Sequence, residues 1–311
     1  MARPKSLAFL VLKCLVSAGL LYLLLRRVDG PQLRAAAQTL SWTGWSAACA
    51  LYLLAQLLSS FRWSVIGRRF GIAAPYAAYL RGYFIGIFFN LFLPTGVGGD
   101  VVKGYHLGKR SGHMLDAAAT VILDRVLGLI MLLLLGAYAA WQIDLSPRWM
   151  QHVLLLGAAA GLVAVALMPY LIDAMARWRA SWAEALAPQR FFWCDRRALL
   201  YALLLSAGVQ LLTVASIFVL GEQLHIAQPL LFYIASCAII AIVSLTPLTI
   251  NGFGVREWGF VALFQSVGVA EEAALLLSLL SFSLQAAAGL VGVIPFLTPS
   301  GAAVATAERA G

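Results

Sequence analysis

Pro94-Thr-Gly-Val-Gly-Gly-Asp-Val-Val-Lys103 and Pro247-Leu-Thr-Ile-Asn-Gly-Phe-Gly-Val-Arg-Glu257 are two versions of one design, each set at the end of an apolar run. Aligned from the proline, both carry glycine five residues on (Gly99, Gly252) and a cation nine residues on (Lys103, Arg256), with a further glycine and a carboxylate close by. Proline removes a backbone donor and glycine withholds a side chain, so a helix must break at both places. Broken backbone at membrane depth is tolerated only where protein buries it or a wet cavity receives it. A pair of such breaks in corresponding places of two halves is the sequence sign of a transporter's binding site.

Working outward, the composition is that of a membrane protein. The chain is 62% hydrophobic and 11% charged, with a mean hydropathy of +0.89. Runs close to the ~20 residues needed to span a bilayer predict crossings at 7–25, 42–61, 117–140, 151–172, 198–220, 229–246, 255–270 and 273–297. Residues 78–93 lead straight into the first break and predict a re-entrant or half-spanning helix. The expected fold is all-α and polytopic, about eight transmembrane helices with one or two broken ones, arranged as two inverted repeats. The expected halves are 1–172 and 198–297, joined by 173–197 and followed by a short tail, 298–311. The apolar stretch after Arg3 and Lys5 continues to Leu25, too long for an ordinary signal peptide, so a retained first helix is expected.

Basic residues set an orientation. With the N-terminus and loops 62–71, 101–116 and 173–197 on the cytoplasmic side, together with Arg81, Arg256 and Arg309, sixteen Lys and Arg face the cytoplasm. Four (Arg26, Arg27, Arg34, Arg148) face away. Both termini are then cytoplasmic, in the inner membrane. The same bias accounts for the formal net charge of +9 without nucleic acid, for which no motif is present. Segment 173–197 combines five arginines with Trp178, Trp182, Phe191, Phe192 and Trp193 around Pro188, the pattern of an interfacial amphipathic segment.

At the first break, amides around Gly96, Gly98 and Gly99 would form a concavity for phosphate, with Lys103 adding charge and Asp100 requiring a partner. At the second, Asn251, Gly252 and Gly254 open the backbone, and Arg256 offers a planar donor head matched to phosphate, with Glu257 beside it. Asp124 and Arg125 are neighbours inside one predicted helix. Their side chains point about 100° apart, so at least one must find its partner on another helix, as a clamp between halves or in contact with substrate. Lys13 lies close enough to a membrane face to snorkel. Four scattered cysteines (Cys14, Cys49, Cys194, Cys237) have no metal or redox spacing, and neither do His106, His113, His152 and His225. No metal, cofactor or catalytic residue is expected. Gly104-Tyr-His-Leu-Gly-Lys-Arg110 falls one residue short of a phosphate-binding loop and has Arg where Ser or Thr belongs, so no ATPase is expected either.

These elements, in this order, resemble the transmembrane region of lysylphosphatidylglycerol synthases, the flippase-like module of the multiple peptide resistance factor. Arg62-Trp63 is similar to the family's basic-aromatic pair, and Asn90 through Lys103 to its Asn, Leu-Pro and Gly-Asp stretch. Asp124-Arg125-Val-Leu-Gly128 is similar to its acidic-Arg-Leu-Gly element, with Asp in place of the usual Glu. Pro247 to Glu257 is similar to its Gly-Val-Arg-Glu signature. The resemblance implies movement of a polar-headed lipid, a phospholipid, glycolipid or isoprenoid-linked headgroup, between leaflets. Anionic or phosphate-bearing headgroups are the expected partners. It does not imply lysyl transfer, since the sequence runs only from the last predicted span into the small-residue tail Ser300 to Gly311. The expected path is lined by Asn90, Pro94, Gly96, Gly98, Gly99, Asp100, Lys103, Asp124, Arg125, Pro247, Asn251, Gly252, Gly254, Arg256 and Glu257. Two other classes compete with this reading: a membrane partner that recruits a separate lipid-modifying enzyme through 173–197, and a membrane-embedded lipid-modifying enzyme.

Overall fold

The computed structural model describes residues 15–298, apart from 17, 21, 25, 27, 28, 94–96, 144, 146, 179, 246–248, 250 and 251; for 180–186 it describes the backbone alone. Among the described residues every regular element is a helix: α1 Gly30–Gln38, α2 Trp42–Arg69, α3 Tyr76–Phe92, α4 Gly98–Ser111, α5 Met114–Gln142, α6 Trp149–Trp178, α7 Ala180–Cys194, α8 Arg196–Gln223, α9 Leu230–Ser244, α10 Val255–Gln265, α11 Glu271–Val291 and α12 Val293–Leu297. The all-α polytopic fold expected from the sequence is the fold found. Among the described residues, five helices or continuous helix pairs are long and apolar enough to cross a membrane: α2, α5, α6, α8 and α11 with α12. Lys13 and most of the first predicted span and of the tail lie outside the described residues. Helical residues 22–24 are described, and Leu24 is fully buried.

The molecule is organised on α2 and α8, its most extensive helix pair. Ser41 caps α2 by accepting the Gly44 amide, and its hydroxyl also meets Gln223 Oε1 at 2.7 Å, at the last residue of α8. At the other end Asp195 caps α8 through the Arg197 and Ala198 amides and holds Arg69, the last residue of α2, at 2.7 Å. One residue at each end thus finishes one helix and starts the other. The contacts 41 with 223, 62 with 206 and 69 with 195 make the pair antiparallel.

The turn and short helix that come after α2 are repeated, upside down, after α8. Phe70 N, Gly71 N and Ile72 N return to Gly67, Arg68 and Gly67 carbonyls; Leu224 N, His225 N and Ile226 N return to Gly221, Glu222 and Gly221. The turn residues Gly71 and His225 both have positive φ, +76° and +55°. Pro75 and Pro229 then stand extended before α3 and α9. A Cβ on Gly67 would come within 2.2 Å of the Tyr79 hydroxyl, and one on Gly221 within 1.9 Å of the Tyr233 hydroxyl. The tyrosines therefore dock each short helix against the end of its long one. Tyr79 donates to the Ile72 carbonyl, whereas the Tyr233 hydroxyl has no partner among the described residues. Gly221→Ala is expected to destabilise by about 1–3 kcal/mol, as overpacking does. Adding Tyr233→Phe should recover most of that loss, read as melting temperature in detergent, because the deleted hydroxyl gives up no bond.

Each short helix folds back on a second one. In the first hairpin α3 and α4 meet where Gly86 and Gly99 let the backbones touch, and the Asn90 Oδ1 atom accepts the Gly99 amide at 2.8 Å. In the second, Gln228 at the entry reaches the Val267 carbonyl beyond α10. Ser244, which corresponds to Asn90, lies beside Gly252, which corresponds to Gly99. Because α2 and α8 are antiparallel, the hairpins enter from opposite ends of the bundle.

This corrects two expectations. Segments 229–246 and 255–270, expected as full crossings, are helices of 15 and 11 residues, about 22 and 16 Å long against a hydrocarbon core of about 30 Å. Arg256, expected among the cytoplasmic cations, belongs to the hairpin that enters from the end opposite Arg69. Hydropathy records composition, and an apolar half-crossing packed inside a bundle scores like a whole one. Aromatics mark the two membrane faces: Trp42, Trp141 and Trp149 are exposed at one end, Tyr170, Trp178 and Phe191 at the other. Within 173–197 the aromatics divide, for Phe192 and Trp193 are buried in the core beside Phe70 and Ile72. Arg190 pairs with Asp173 on α6. The Trp182 side chain lies outside the described residues.

Candidate functional site

The middle of α2 is polar on one side. Tyr52, Gln56, Ser59 and Trp63 succeed one another at helical spacing, with Ser60, Arg62 and Ser64 beside them, and all but the half-buried Tyr52 are buried. Arg62, expected to open a cytoplasmic loop, lies inside the helix instead. Its Nε meets Asp124 Oδ1 at 2.9 Å, Nη1 donates to Ser206 Oγ at 2.8 Å and Nη2 to the Asp124 carbonyl at 3.0 Å. A buried guanidinium needs this many acceptors, and two neighbouring helices, α5 and α8, supply them.

The second carboxylate oxygen of Asp124 takes Lys103 at 3.3 Å. Lys103 also lies 3.6 Å from Asp100, and its ammonium stands over the rings of Trp63 and Tyr83 at 5.0 and 4.7 Å. Asp100 in turn meets Arg125 Nε at 2.8 Å. Cations and carboxylates thus alternate from Arg62 through Asp124, Lys103 and Asp100 to Arg125. Asp124 and Arg125 do face different partners, as their spacing requires. Asp124 serves the clamp, because Arg62 carries it to Ser206 on α8.

Arg125 is the exception in this buried chain. Its side chain is 55% exposed, whereas those of the other four members are almost fully buried. Of the five it is the one a ligand could reach. Tyr52, half-buried on α2, is within electrostatic reach of Tyr83, Arg125 and Arg256. Arg125 on the α5 side and Arg256 at the start of α10 therefore both address the region around one tyrosine in the middle of α2.

The second hairpin presents its cation differently. Gly252 and Gly254 have φ of +77° and +87°, a turn that glycine makes at little cost. The chain then enters α10 with Glu257 reaching back to the Gly254 amide at 2.6 Å. The other Glu257 oxygen takes Arg256 Nη2 at 2.5 Å, and the guanidinium stacks on Phe253 and Phe282, whose rings pack edge to face at 4.8 Å. Only 12% of the Arg256 side chain is exposed. Phe253 occupies the position of Asp100 in the repeat, so an aromatic contact stands where the first hairpin has an ion pair.

One sequence expectation fails in detail. The Gly99 amide, anticipated as a free donor for phosphate, is occupied by Asn90, because a hairpin apex packed between helices must satisfy its own backbone. Gly98 and Gly99 are buried, and Gly99 serves the α3–α4 contact. Pro94, Gly96, Pro247 and Asn251 lie outside the described residues. Sequence reading missed Tyr52, Gln56, Ser59, Tyr83 and Ser206. The stripe on α2 was the available signal, since four polar or aromatic residues at helical spacing in an otherwise apolar segment define a face.

A UPF0104 membrane protein of Pyrococcus horikoshii is 26% identical over 273 residues, covering 75% of this chain and 80% of that protein. The family described as "Lysylphosphatidylglycerol synthase TM region" matches residues 10–300. The match takes in both hairpins and the ion chain between them, and the protein belongs to that family of membrane proteins.

Proposed function

We propose that this protein moves a polar-headed lipid between the leaflets of the inner membrane, with its termini cytoplasmic and without chemistry of its own. The observation that supports the reading is the exposed guanidinium of Arg125 at the end of a buried ion chain, with Arg256 of the opposite hairpin in electrostatic reach of the same Tyr52; in this reading the two cations line one hydrated vestibule. Hydrocarbon rejects a charged headgroup, so translocation requires a polar path with the acyl chains left in lipid. Two oppositely oriented hairpins give such a path a half-length barrier on each side, and relative motion of the halves would open one at a time. Asp124, Arg62 and Ser206 act in this scheme as the clamp between the halves.

The test is scrambling of labelled lipid by purified protein in vesicles. Arg256→Ala and Asp100→Asn are each expected to lower the rate at least tenfold. Arg177→Gln and Arg190→Gln, in the basic segment, should leave it unchanged. Full activity in the two site variants refutes the path. A partner that recruits an enzyme through the basic segment would show the reverse dependence.

A further inference from the structure

The charges around the vestibule do not cancel. Among the described residues, Arg62, Lys103 and Arg125 stand against Asp100 and Asp124, and Arg256 against Glu257. Four cations face three carboxylates. The excess is localised, because Arg62 and Lys103 are buried, Arg256 is only 12% exposed, and all three are held by several partners, whereas Arg125 has one carboxylate and an exposed face. Asp100 already divides itself between Arg125 and Lys103, so it can release Arg125 to another anion and keep Lys103.

We propose that the vestibule selects lipids whose headgroup carries one net negative charge, a phosphodiester monoanion that Arg125 holds in place of Asp100. This rests on reading the vestibule as the headgroup path and adds the charge rule that governs it. A zwitterionic headgroup has the same phosphodiester but brings its own cation into a cavity already one charge positive. A phosphomonoester brings more than one negative charge and must face Asp100, which stays. At the low effective dielectric of a partly buried site, a single unit charge decides between such ligands.

The rule makes an unusual prediction for Asp100→Asn. Removing this carboxylate raises the local excess from one to two, so the variant should bind anionic lipid several-fold tighter while losing turnover, since the ligand no longer has a competitor to displace it. Purified full-length protein in detergent would be titrated with dihexanoyl phosphatidylglycerol, phosphatidylcholine and phosphatidic acid, and with chain-free glycerophosphoglycerol, reading the rise in melting temperature. Wild type should bind phosphatidylglycerol about tenfold tighter than phosphatidylcholine, the order of a charge-assisted contact. Arg125→Gln should erase that difference. Asp100→Asn should bind all anions more tightly and shift the preference toward phosphatidic acid. Should Asp100→Asn prove too unstable, Asp100→Asn with Arg125→Gln keeps the original balance without the exposed cation, and is expected to fold and to show no charge preference.

Equal binding of phosphatidylcholine, weaker binding of phosphatidylglycerol by folded Asp100→Asn, or a retained preference in the double variant overturns the proposal. So does glycerophosphoglycerol binding as tightly as the lipid, which would assign the site to a soluble phosphodiester. Charge-selective binding without scrambling would end the transport reading and leave this one standing; scrambling without charge selection would do the reverse.

Discussion

Asp124→Ala is expected to cost about 3–5 kcal/mol, the range for removing one partner of a buried ion pair. Asp124 is almost fully buried and engages two cations that are themselves buried, Arg62 at 2.9 Å and Lys103 at 3.3 Å. Alanine leaves both facing a gap. Lys103 keeps Asp100 at 3.6 Å and its two aromatic rings, but Arg62 keeps only Ser206, Ser59 and a backbone carbonyl, none of them charged. The loss should appear as a large fall in the melting temperature of purified protein in detergent. Replacing the pair together, as Arg62→Met with Asp124→Leu, should recover most of it, because apolar side chains of similar volume need no counter-charge. A single variant melting with the wild type would mean that water reaches Arg62 and that the clamp between α2, α5 and α8 is loose.

The ion chain also shows how far a sequence carries such an inference. Asp100, Lys103, Asp124 and Arg125 were legible because charge is rare in apolar segments and each residue demands an explanation. Their pairing was not legible, since it depends on which helices are neighbours. Arg62 was hidden for the opposite reason: it lies close to Arg68 and Arg69, which do end α2, and a cluster of cations reads as a loop. The two breaks announced themselves through Pro and Gly. The more extensive repeat around them did not, for Gly67 with Tyr79 and Gly221 with Tyr233 are ordinary residues until a Cβ placed on the glycine meets the hydroxyl. Their matching turns come from backbone bonds, and a turn tolerates Gly71 in one copy and His225 in the other.

The copies have diverged where charge is concerned, and that divergence bears on function. In the first hairpin Lys103 is buried among carboxylates and the exposed Arg125 pairs with Asp100 from the neighbouring helix. In the second, Arg256, at the position of Lys103, carries its own Glu257 and lies on two aromatic rings. A symmetric carrier would offer equal sites from both ends. Here the excess charge stands beside the first hairpin, on α5, and the second hairpin holds a neutralised cation with an aromatic floor, so a headgroup would be gripped from one end and released toward the other. In the proposed mechanism that asymmetry favours one resting conformation of the empty protein.

The first hairpin is correspondingly intolerant at its apex, where Gly99→Ala should have the largest effect of any glycine substitution in the two breaks. A Cβ there would stand 1.9 Å from the Gly86 carbonyl oxygen and 2.7 Å from the Asn90 side chain. The first obstacle is backbone, which cannot rotate away, so α3 and α4 must separate. Separation would break the Asn90 bond to the Gly99 amide and withdraw Lys103, one turn along α4, from Asp124 and Trp63. Gly252→Ala is the matched control. Its Cβ meets Ser244 at an ordinary 3.6 Å, and the penalty is confined to a positive φ of +77°, about 1 kcal/mol. Gly99→Ala should therefore lose scrambling outright and melt well below the Gly252→Ala protein. Equal melting of the two would show that the hairpins are equally pliant and that the close approach of Gly86 and Gly99 does not hold the first one shut.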